Sequence, residues 1–82
     1  MKHYVYILQS EKTGKYYVGS TSNPESRLIK HNKGDVKSTK PYRPWKIIYI
    51  NSYSTRREAE FRERQIKSWK SRDDIERLLK KS

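Results

Sequence analysis

Glu63 is the residue whose position in the sequence points most directly to chemistry. It falls between Ala59 and Ile66 at helical spacing, so its carboxylate lies on or beside the apolar stripe of a predicted helix. A charge at the edge of a buried face is costly unless it is paired or bound to a cation. Two interpretations follow: a functional carboxylate, and one whose charge is balanced structurally by neighbouring Arg62.

Arg27 and His31 form a second candidate pair. They are four residues apart and therefore share one face of a predicted helix. An arginine beside a histidine suits phosphate binding and proton transfer. Two exposed polar residues without a chemical role fit the same spacing equally well.

Composition excludes several kinds of catalytic site. The chain has no cysteine, which rules out disulfides, thiolate metal ligands and cysteine nucleophiles. Its three glycines form no phosphate-binding loop, and no Asp-rich cluster for two metal ions is present. His3 and His31 fall on different predicted elements and make no ligand pair by spacing.

The first half of the chain predicts a hairpin followed by a helix. Residues 4–8 are apolar on both faces, as in a buried strand, and residues 16–18 predict the return strand after a turn at residues 12–14. Residues 23–25 combine Asn, Pro and Glu, which favour a helix start. Gly34 is a natural end for that helix.

The second half predicts a third strand and two more helices. Residues 35–44 form a polar loop, and residues 45–50 form a strand. Residues 55–58 match a capping box, and residues 71–74 indicate another helix start. The predicted fold is α+β: a small antiparallel three-stranded sheet packed with helices, order β-β-α-β-α-α, in a single domain over residues 1–82.

The excess of basic charge indicates a polyanionic partner. The chain has 20 Lys and Arg against 9 Asp and Glu, a net charge of +11. From residue 56 onward the charges suit pairs on helix surfaces. Residues 27–46 carry seven basic side chains and one acidic one, and they form the predicted phosphate-facing surface. Within it, Tyr42 could stack on bases, whereas Trp45 better fits core packing. The predicted nucleic-acid contacts are Lys30, Lys33, Lys37, Lys40 and Arg43.

Length and composition also limit the cellular compartments in which we expect the protein. With 82 residues and 32% hydrophobic residues, the core must be thin. The apolar run at residues 4–8 is too short for a signal peptide or a membrane span. We expect a soluble, cytoplasmic monomer with no membrane partner.

Taken together, these residues resemble the GIY-YIG nuclease family, and in particular its small single-domain bacterial members. Residues 4–6 (Tyr-Val-Tyr) stand at the first motif, and residues 17–19 (Tyr-Val-Gly) match the second. Residues 27–32 resemble the Arg-bearing helix, residues 42–45 precede the third strand, and residues 58–69 resemble the helix of the metal-binding glutamate.

Two departures from the family pattern bear on activity. Tyr4 stands where the family name has glycine, a position at which similar small members vary. Ser20 follows the second motif, where some relatives carry lysine. If that lysine aids the reaction, this chain does without it or uses another group.

The resemblance implies a metal-dependent mechanism. Glu63 would hold one Mg²⁺ or Mn²⁺, which acts as a Lewis acid at the scissile phosphate. Arg27 would neutralise charge that builds on the phosphate. Tyr6 or Tyr17 would orient or deprotonate the attacking water, with His31 as an auxiliary group.

The same resemblance predicts the strand register of the hairpin. Tyr6 and Tyr17 must line one face of the sheet, which requires strand pairing between residues of opposite parity, since a slip of one residue separates them. Gly19 would let the backbone turn tightly beside the site.

The implied function is a divalent-metal-dependent endonuclease that hydrolyses DNA with low intrinsic sequence specificity, in repair or recombination. RNA is not excluded as a substrate, and a partner protein is an open question. The alternative is a catalytically inactive nucleic-acid-binding module of the same fold. A third reading, an adaptor for an acidic protein or a membrane surface, is weaker because the basic residues do not line one amphipathic helix.

Overall fold

The fold is a three-stranded antiparallel sheet with helices on both faces, as seen in a computed structural model that describes residues 2–69 and 71–81. The predicted fold class and element order are confirmed. The elements are β1 His3–Ser10, β2 Tyr16–Thr21, α1 Pro24–Lys33, a short 3-10 helix Lys40–Tyr42, β3 Trp45–Tyr53, α2 Arg56–Lys67 and α3 Arg72–Lys81. Over the described parts of the chain, no helix has the length and apolar character needed to cross a membrane.

β1 is the central strand of the sheet, and β2 and β3 are its edges. Tyr6 lies opposite Gly19, and Leu8 lies opposite Tyr17. Because side chains alternate along a strand, these four residues share one face. The opposite-parity register that the two tyrosines require is confirmed.

The two faces of the sheet bury separate cores. On one face, Val5, Ile7 and Val18 pack against Ala59 and Ile66 of α2. The alternation of β1 therefore commits this face to α2, which places α2 on the side of the sheet away from Tyr6.

The opposite face packs under α1 and the loop that follows it. Its buried residues are Tyr6, Leu8 and Trp45. Trp45 is only 4% exposed, and its indole Nε1–H donates to the Thr39 carbonyl at 2.9 Å. Trp45 is therefore a core residue, as the sequence analysis favoured.

The ends of α1 follow from local sequence. The Asn23 side chain accepts a hydrogen bond from the Ser26 N–H at 3.1 Å, and Pro24 occupies the first turn, where it has no N–H to lose. Gly34 ends the helix with φ 85°, a left-handed conformation that other residues rarely adopt. The predicted boundaries of this helix are confirmed.

One of the two hydrogen bonds of a capping box forms at the start of α2. The Thr55 hydroxyl oxygen accepts from the Glu58 N–H at 3.1 Å, as expected. The Glu58 carboxylate accepts from the Thr55 hydroxyl at 3.1 Å and does not reach the backbone N–H of Thr55. At the start of α3, the Ser71 hydroxyl accepts from the Asp73 N–H at 3.1 Å.

β3 extends three residues beyond its predicted end at residue 50. The added residues Asn51, Ser52 and Tyr53 pair with the start of β1. Because β3 is an edge strand, the polar side chains of Asn51 and Ser52 stay exposed while their backbone joins the ladder. Polarity alone is therefore a poor signal for the end of an edge strand.

Candidate active site

A hydrogen-bonded pair of buried side chains, Tyr6 and His31, connects β1 to α1. The Tyr6 hydroxyl lies 3.2 Å from His31 Nε2, and each residue is 1% exposed. His31 is the buried residue of α1. The interpretation of Arg27 and His31 as two exposed residues is therefore wrong for His31, although Arg27 itself is exposed.

Tyr17 completes an aromatic cluster, defined here as Tyr6, Tyr17 and His31. The Tyr17 ring centroid lies 4.9 Å from that of His31 and 6.4 Å from that of Tyr6. Tyr17 is half-buried, so the cluster meets solvent at this residue. The two motif tyrosines and the histidine thus form one contiguous group at the β1–β2 face.

Gly19 leaves the space that the Tyr6 ring fills. A Cβ atom at residue 19 would lie 2.5 Å from the Tyr6 hydroxyl oxygen and 2.6 Å from Cζ, closer than non-bonded atoms approach. Gly19 lies inside β2, and the glycines with positive φ are Gly14 and Gly34. The expected tight turn is therefore wrong, and close packing explains the glycine.

The Tyr6 phenol is a weak acid in this setting. Burial raises its pKa, neighbouring Tyr17 raises it further, and the Arg27 guanidinium only partly offsets both, which gives a pKa of about 12. The phenol is therefore protonated at neutral pH. The positive charge of Arg27 acts on the Tyr6 hydroxyl, while the Arg27 side chain itself is exposed.

His31 is neutral under the same conditions. Burial lowers its pKa below the ordinary value of 6.5, and the positive charge of Arg27 lowers it further. A neutral imidazole has one nitrogen that accepts a proton, so the cluster holds a proton acceptor next to the Tyr6 hydroxyl.

Glu63 approaches from α2, on the other face of the sheet. Its Oε1 accepts a hydrogen bond from the Ser20 hydroxyl at 2.6 Å, and its Oε2 lies 2.7 Å from Lys67 Nζ. The Glu63 side chain is 19% exposed. The proposed pairing with Arg62 is wrong, because Arg62 donates to Gln65 at 2.7 Å.

The carboxylate of Glu63 is held ionised. Burial would raise its pKa, but hydrogen bonds from Lys67 and Ser20 and the positive charges of Lys67 and His3 together lower the pKa below its ordinary value. Glu63 is therefore an anion at neutral pH and is suited to bind a cation.

The two groups meet around the edge strand β2. Ser20, which contacts Glu63, directly follows Gly19, which lies under Tyr6. Lys67 Nζ lies 5.7 Å from the centroid of the Tyr17 ring, and the negative charge of Glu63 contributes to the raised pKa of Tyr6. The structure thus brings together the predicted catalytic residues Tyr6, Tyr17, Arg27, His31 and Glu63.

The donor set at Glu63 fits a magnesium ion that the substrate helps to bind. Residues 2–69 and 71–81 contain no group of three or more His, Cys, Asp or Glu side chains that could form a closed metal site. Glu63 and Ser20 offer oxygen atoms, the donors that Mg²⁺ prefers. Mg²⁺ commonly uses one or two carboxylates, with waters and substrate phosphates as the other ligands.

The predicted phosphate contacts are all exposed, and they lie outside the two later helices, whose charges pair with one another. The ion pairs within the described chain all join partners inside α2 or inside α3, as the sequence indicated. Lys40 and Arg43 line an open cleft together with Lys12, which sequence reasoning missed. The exposed set is Lys30, Lys33, Lys37, Lys40 and Arg43.

Sequence reasoning also missed Thr39 and Lys67. Thr39 is 2% exposed, and its hydroxyl oxygen lies 2.8 Å from His31 Nδ1. It belongs to a polar loop whose composition gives no sign of burial. Lys67 could have been found, since it lies four residues after Glu63 on the same helix face.

Comparison with known proteins gives consistent matches. Residues 2–77 match the model of the GIY-YIG catalytic domain. The chain is 42% identical over 69 residues to a UPF0213 protein of Staphylococcus saprophyticus, covering 83% of both chains. It is 37% identical over 78 residues to one of Staphylococcus haemolyticus, covering 94% of both. The solution NMR structure of a Bacillus halodurans UPF0213 protein has TM-score 0.63 and 32% identity, covering 98% of this chain and 84% of that chain.

Proposed function

This chain belongs to the GIY-YIG family, and from that membership we propose that it is a divalent-metal-dependent endonuclease that hydrolyses phosphodiester bonds in DNA. The observation that carries the proposal is the meeting of two groups at the edge strand β2. An anionic carboxylate, Glu63, reaches this strand through Ser20 on one face, and the aromatic cluster, which contains a proton donor and a neutral proton acceptor, packs on the other face. These are the parts that a hydrolase of phosphodiesters needs.

The Tyr6–His31 pair supplies proton transfer. A phenol with a pKa of about 12 gives up its proton only when another group takes it in the same step. As the attacking water loses a proton to the Tyr6 oxygen, the Tyr6 proton passes to His31, which becomes an imidazolium. Tyr17, beside both residues, orients the water at the solvent side of the cluster.

Arg27 supplies charge neutralisation at the phosphate. It is exposed and lies next to the Tyr6 hydroxyl. A phosphate that contacts its guanidinium is therefore placed within reach of the water that Tyr6 activates. Hydrogen bonds from a guanidinium to phosphate oxygens strengthen as negative charge develops on them.

Glu63 supplies the cation site of the proposal. A Mg²⁺ or Mn²⁺ ion bound there would supply Lewis-acid stabilisation of the leaving 3′ oxygen. The Ser20 hydroxyl fixes the orientation of the carboxylate by its hydrogen bond at 2.6 Å. Lys67 balances the charge of Glu63 in the absence of DNA.

The substrate side of the proposal rests on the exposed basic residues of α1 and the following loop. Phosphate contacts carry no sequence information, so we propose low intrinsic sequence specificity. A role in DNA repair or recombination is proposed from family membership alone. RNA stays an alternative substrate. A cytoplasmic location, a monomeric state and the involvement of a partner protein stay predictions.

One observation favours a second candidate, a nucleic-acid-binding module without activity. Both carboxylate oxygens of Glu63 already have protein partners, Ser20 and Lys67. If that pairing outcompetes a cation, the fold keeps its basic surface and loses its chemistry.

The test is a cleavage assay with labelled duplex, single-stranded, flap and branched DNA, in Mg²⁺, in Mn²⁺ and in chelator. Glu63→Gln removes the charge at the proposed metal ligand. Glu60→Gln is the matched control, because Glu60 lies on the same helix and pairs with Arg56 instead. Metal-dependent cleavage that is lost in Glu63→Gln and kept in Glu60→Gln supports the enzyme. Binding without cleavage in all three proteins supports the module.

A further inference from the structure

A chain of hydrogen bonds runs from Tyr6 through His31 to Thr39 in the interior of the protein. The Tyr6 hydroxyl lies 3.2 Å from His31 Nε2, and His31 Nδ1 lies 2.8 Å from the Thr39 hydroxyl. The Thr39 hydroxyl donates to the Val36 carbonyl at 3.3 Å. Because Tyr6, His31 and Thr39 are at most 2% exposed, bulk water has little access to these groups, and their hydrogen bonds are made mainly with one another.

Counting protons along this chain distinguishes the two neutral forms of His31. With the proton on Nδ1, His31 donates to Thr39, Nε2 accepts from Tyr6, and the Thr39 proton points to Val36. Every donor then has an acceptor.

The other form of His31 leaves a proton without an acceptor. With the proton on Nε2, His31 donates to the Tyr6 oxygen, and Thr39 donates to Nδ1. The Tyr6 proton must then find another acceptor, and residues 2–69 and 71–81 offer it none besides His31. A buried hydroxyl proton without a partner is costly, so the form protonated on Nδ1 is favoured.

Thr39 is held in place from its other side. Its carbonyl accepts from the Trp45 indole at 2.9 Å. The Asn32 side chain binds both backbone groups of Trp45, accepting from its N–H at 2.7 Å and donating to its carbonyl at 3.1 Å. The loop that carries Thr39 is therefore anchored to α1 and to β3.

We propose that Thr39 is a positioning residue that holds His31 protonated on Nδ1, so that Nε2 is ready to receive the proton of Tyr6. The consequence for catalysis rests on the proposed function. The water O–H bond breaks as a new Tyr6 O–H bond forms, and the original Tyr6 O–H bond breaks as a His31 Nε2–H bond forms. The resulting imidazolium keeps its Nδ1 proton, which stays hydrogen-bonded to the Thr39 hydroxyl oxygen. The hydroxide forms a bond to phosphorus as the bond from phosphorus to the 3′ oxygen breaks, and the leaving 3′ oxygen takes a proton from solvent.

The direct test is nitrogen NMR of the imidazole side chains in the full chain, uniformly labelled with ¹⁵N. Long-range proton–nitrogen correlations show which ring nitrogen of a neutral histidine carries the proton. We expect a protonated Nδ1 and an unprotonated Nε2 for His31 in the wild type. A wild-type His31 protonated on Nε2 would overturn the proposal, and this measurement needs no variant.

Thr39→Val and Thr39→Ser form a matched pair for the role of the hydroxyl. Valine keeps the shape and removes the acceptor, so we expect the protonated fraction at Nδ1 to fall. Serine keeps the hydroxyl and should retain the wild-type signals. His3 is an internal control in each spectrum, since it lies at the start of β1 and takes no part in the hydrogen bonds that join Tyr6, His31 and Thr39. An unchanged His31 in Thr39→Val contradicts the proposal.

A cleavage assay separates this inference from the proposed function. We expect Thr39→Val to lose on the order of tenfold or more in kcat, with DNA affinity kept, and Thr39→Ser to recover most of the loss. If the NMR result holds and no protein cleaves DNA, the assignment of the proton stands and the nuclease proposal fails. If DNA is cleaved while His31 is protonated on Nε2, the nuclease stands and the role of Thr39 fails.

Discussion

The hydroxyl of Ser20 donates a hydrogen bond of 2.6 Å to the carboxylate of Glu63, and this contact ties α2 to the edge strand β2. Ser20 takes the position directly after Gly19, on the opposite face of the strand. The adjacent residues Gly19 and Ser20 therefore contact the two groups of the site, the aromatic cluster and Glu63. Gly19 makes room for Tyr6, and Ser20 orients Glu63.

Replacing Ser20 should change the acidity of Glu63. The hydrogen bond from Ser20 is one of the contributions that lower the pKa of this carboxyl, so Ser20→Ala should raise it toward its ordinary value. The measurement is a pH titration of the Glu63 side-chain carboxyl carbon by NMR. Ser22→Ala, at an exposed position two residues later, should leave the titration unchanged. Equal curves for both variants would contradict the assigned role.

Replacing Lys67 should make the carboxylate easier for a metal ion to reach. Lys67 lies 2.7 Å from Glu63 and therefore competes with any cation for the same oxygen atoms. Lys67→Met should tighten Mn²⁺ binding by about three- to fivefold, since a partly exposed ion pair contributes up to about 1 kcal/mol. Titration calorimetry checks this, with Glu63→Gln as the variant expected to lose binding. Weaker binding in Lys67→Met would show that the lysine supports the site.

The hairpin and the first helix could be predicted because their signals are local. The turn before β2, the Asn23 cap and the Gly34 stop each depend on a few adjacent residues whose conformational preferences the structure realises. The shared face of Tyr6 and Tyr17 followed from strand parity once an antiparallel hairpin was assumed.

The contacts that complete the site depend on tertiary packing and could not be predicted. Thr39 becomes buried only because the loop after α1 folds back over His31 and under Trp45. Ser20 meets Glu63 only once α2 crosses the sheet, whereas the contact of Lys67 with Glu63 is local to α2. Neither event leaves a periodic pattern in the sequence.

Adding a methyl group at residue 19 should disturb both stability and the Tyr6–His31 contact. Gly19→Ala places a Cβ atom 2.5 Å from the Tyr6 hydroxyl oxygen, and such overpacking typically costs about 1–3 kcal/mol of unfolding free energy. Urea unfolding measures the loss. Tyr6→Ala removes the whole ring, whose Cζ would otherwise still lie 2.6 Å from that Cβ, so the double variant Gly19→Ala with Tyr6→Ala should lose less stability than the sum of the two single variants. Additive losses in the double variant would show that the two residues do not collide.

The neutral, buried His31 should make the protein less stable in mild acid. Its pKa is lowered in the folded state, so the unfolded state binds more protons once the pH falls below the ordinary value of 6.5. The unfolding free energy should therefore decrease from pH 7.5 toward pH 5. His31→Gln should flatten this dependence. The pKa of Glu63 is also lowered in the folded state, so its contribution to stability is lost only below the ordinary value of 4.5. Urea unfolding at a series of pH values therefore separates the pH range of His31 from that of Glu63.

The exposed basic residues should determine how steeply DNA binding depends on salt. Removing one phosphate-binding side chain should reduce the slope of log K against log salt concentration by about 0.9 on duplex DNA, because one fewer counterion is released. Lys40→Gln and Arg43→Gln remove charges that line the cleft with Lys12, and each should reduce the slope. Lys80→Gln removes an exposed charge on α3 and is the control.

Fluorescence anisotropy with one labelled duplex, measured from low to moderate salt, gives the slope for the wild type and for each variant. The double variant Lys40→Gln with Arg43→Gln should lower the slope by about twice the single value, since each neutralised phosphate releases its own counterion. A slope that falls as much in Lys80→Gln as in the cleft variants would show that only net charge matters. In that case DNA does not follow α1 and its loop, and the path across the surface must be assigned elsewhere.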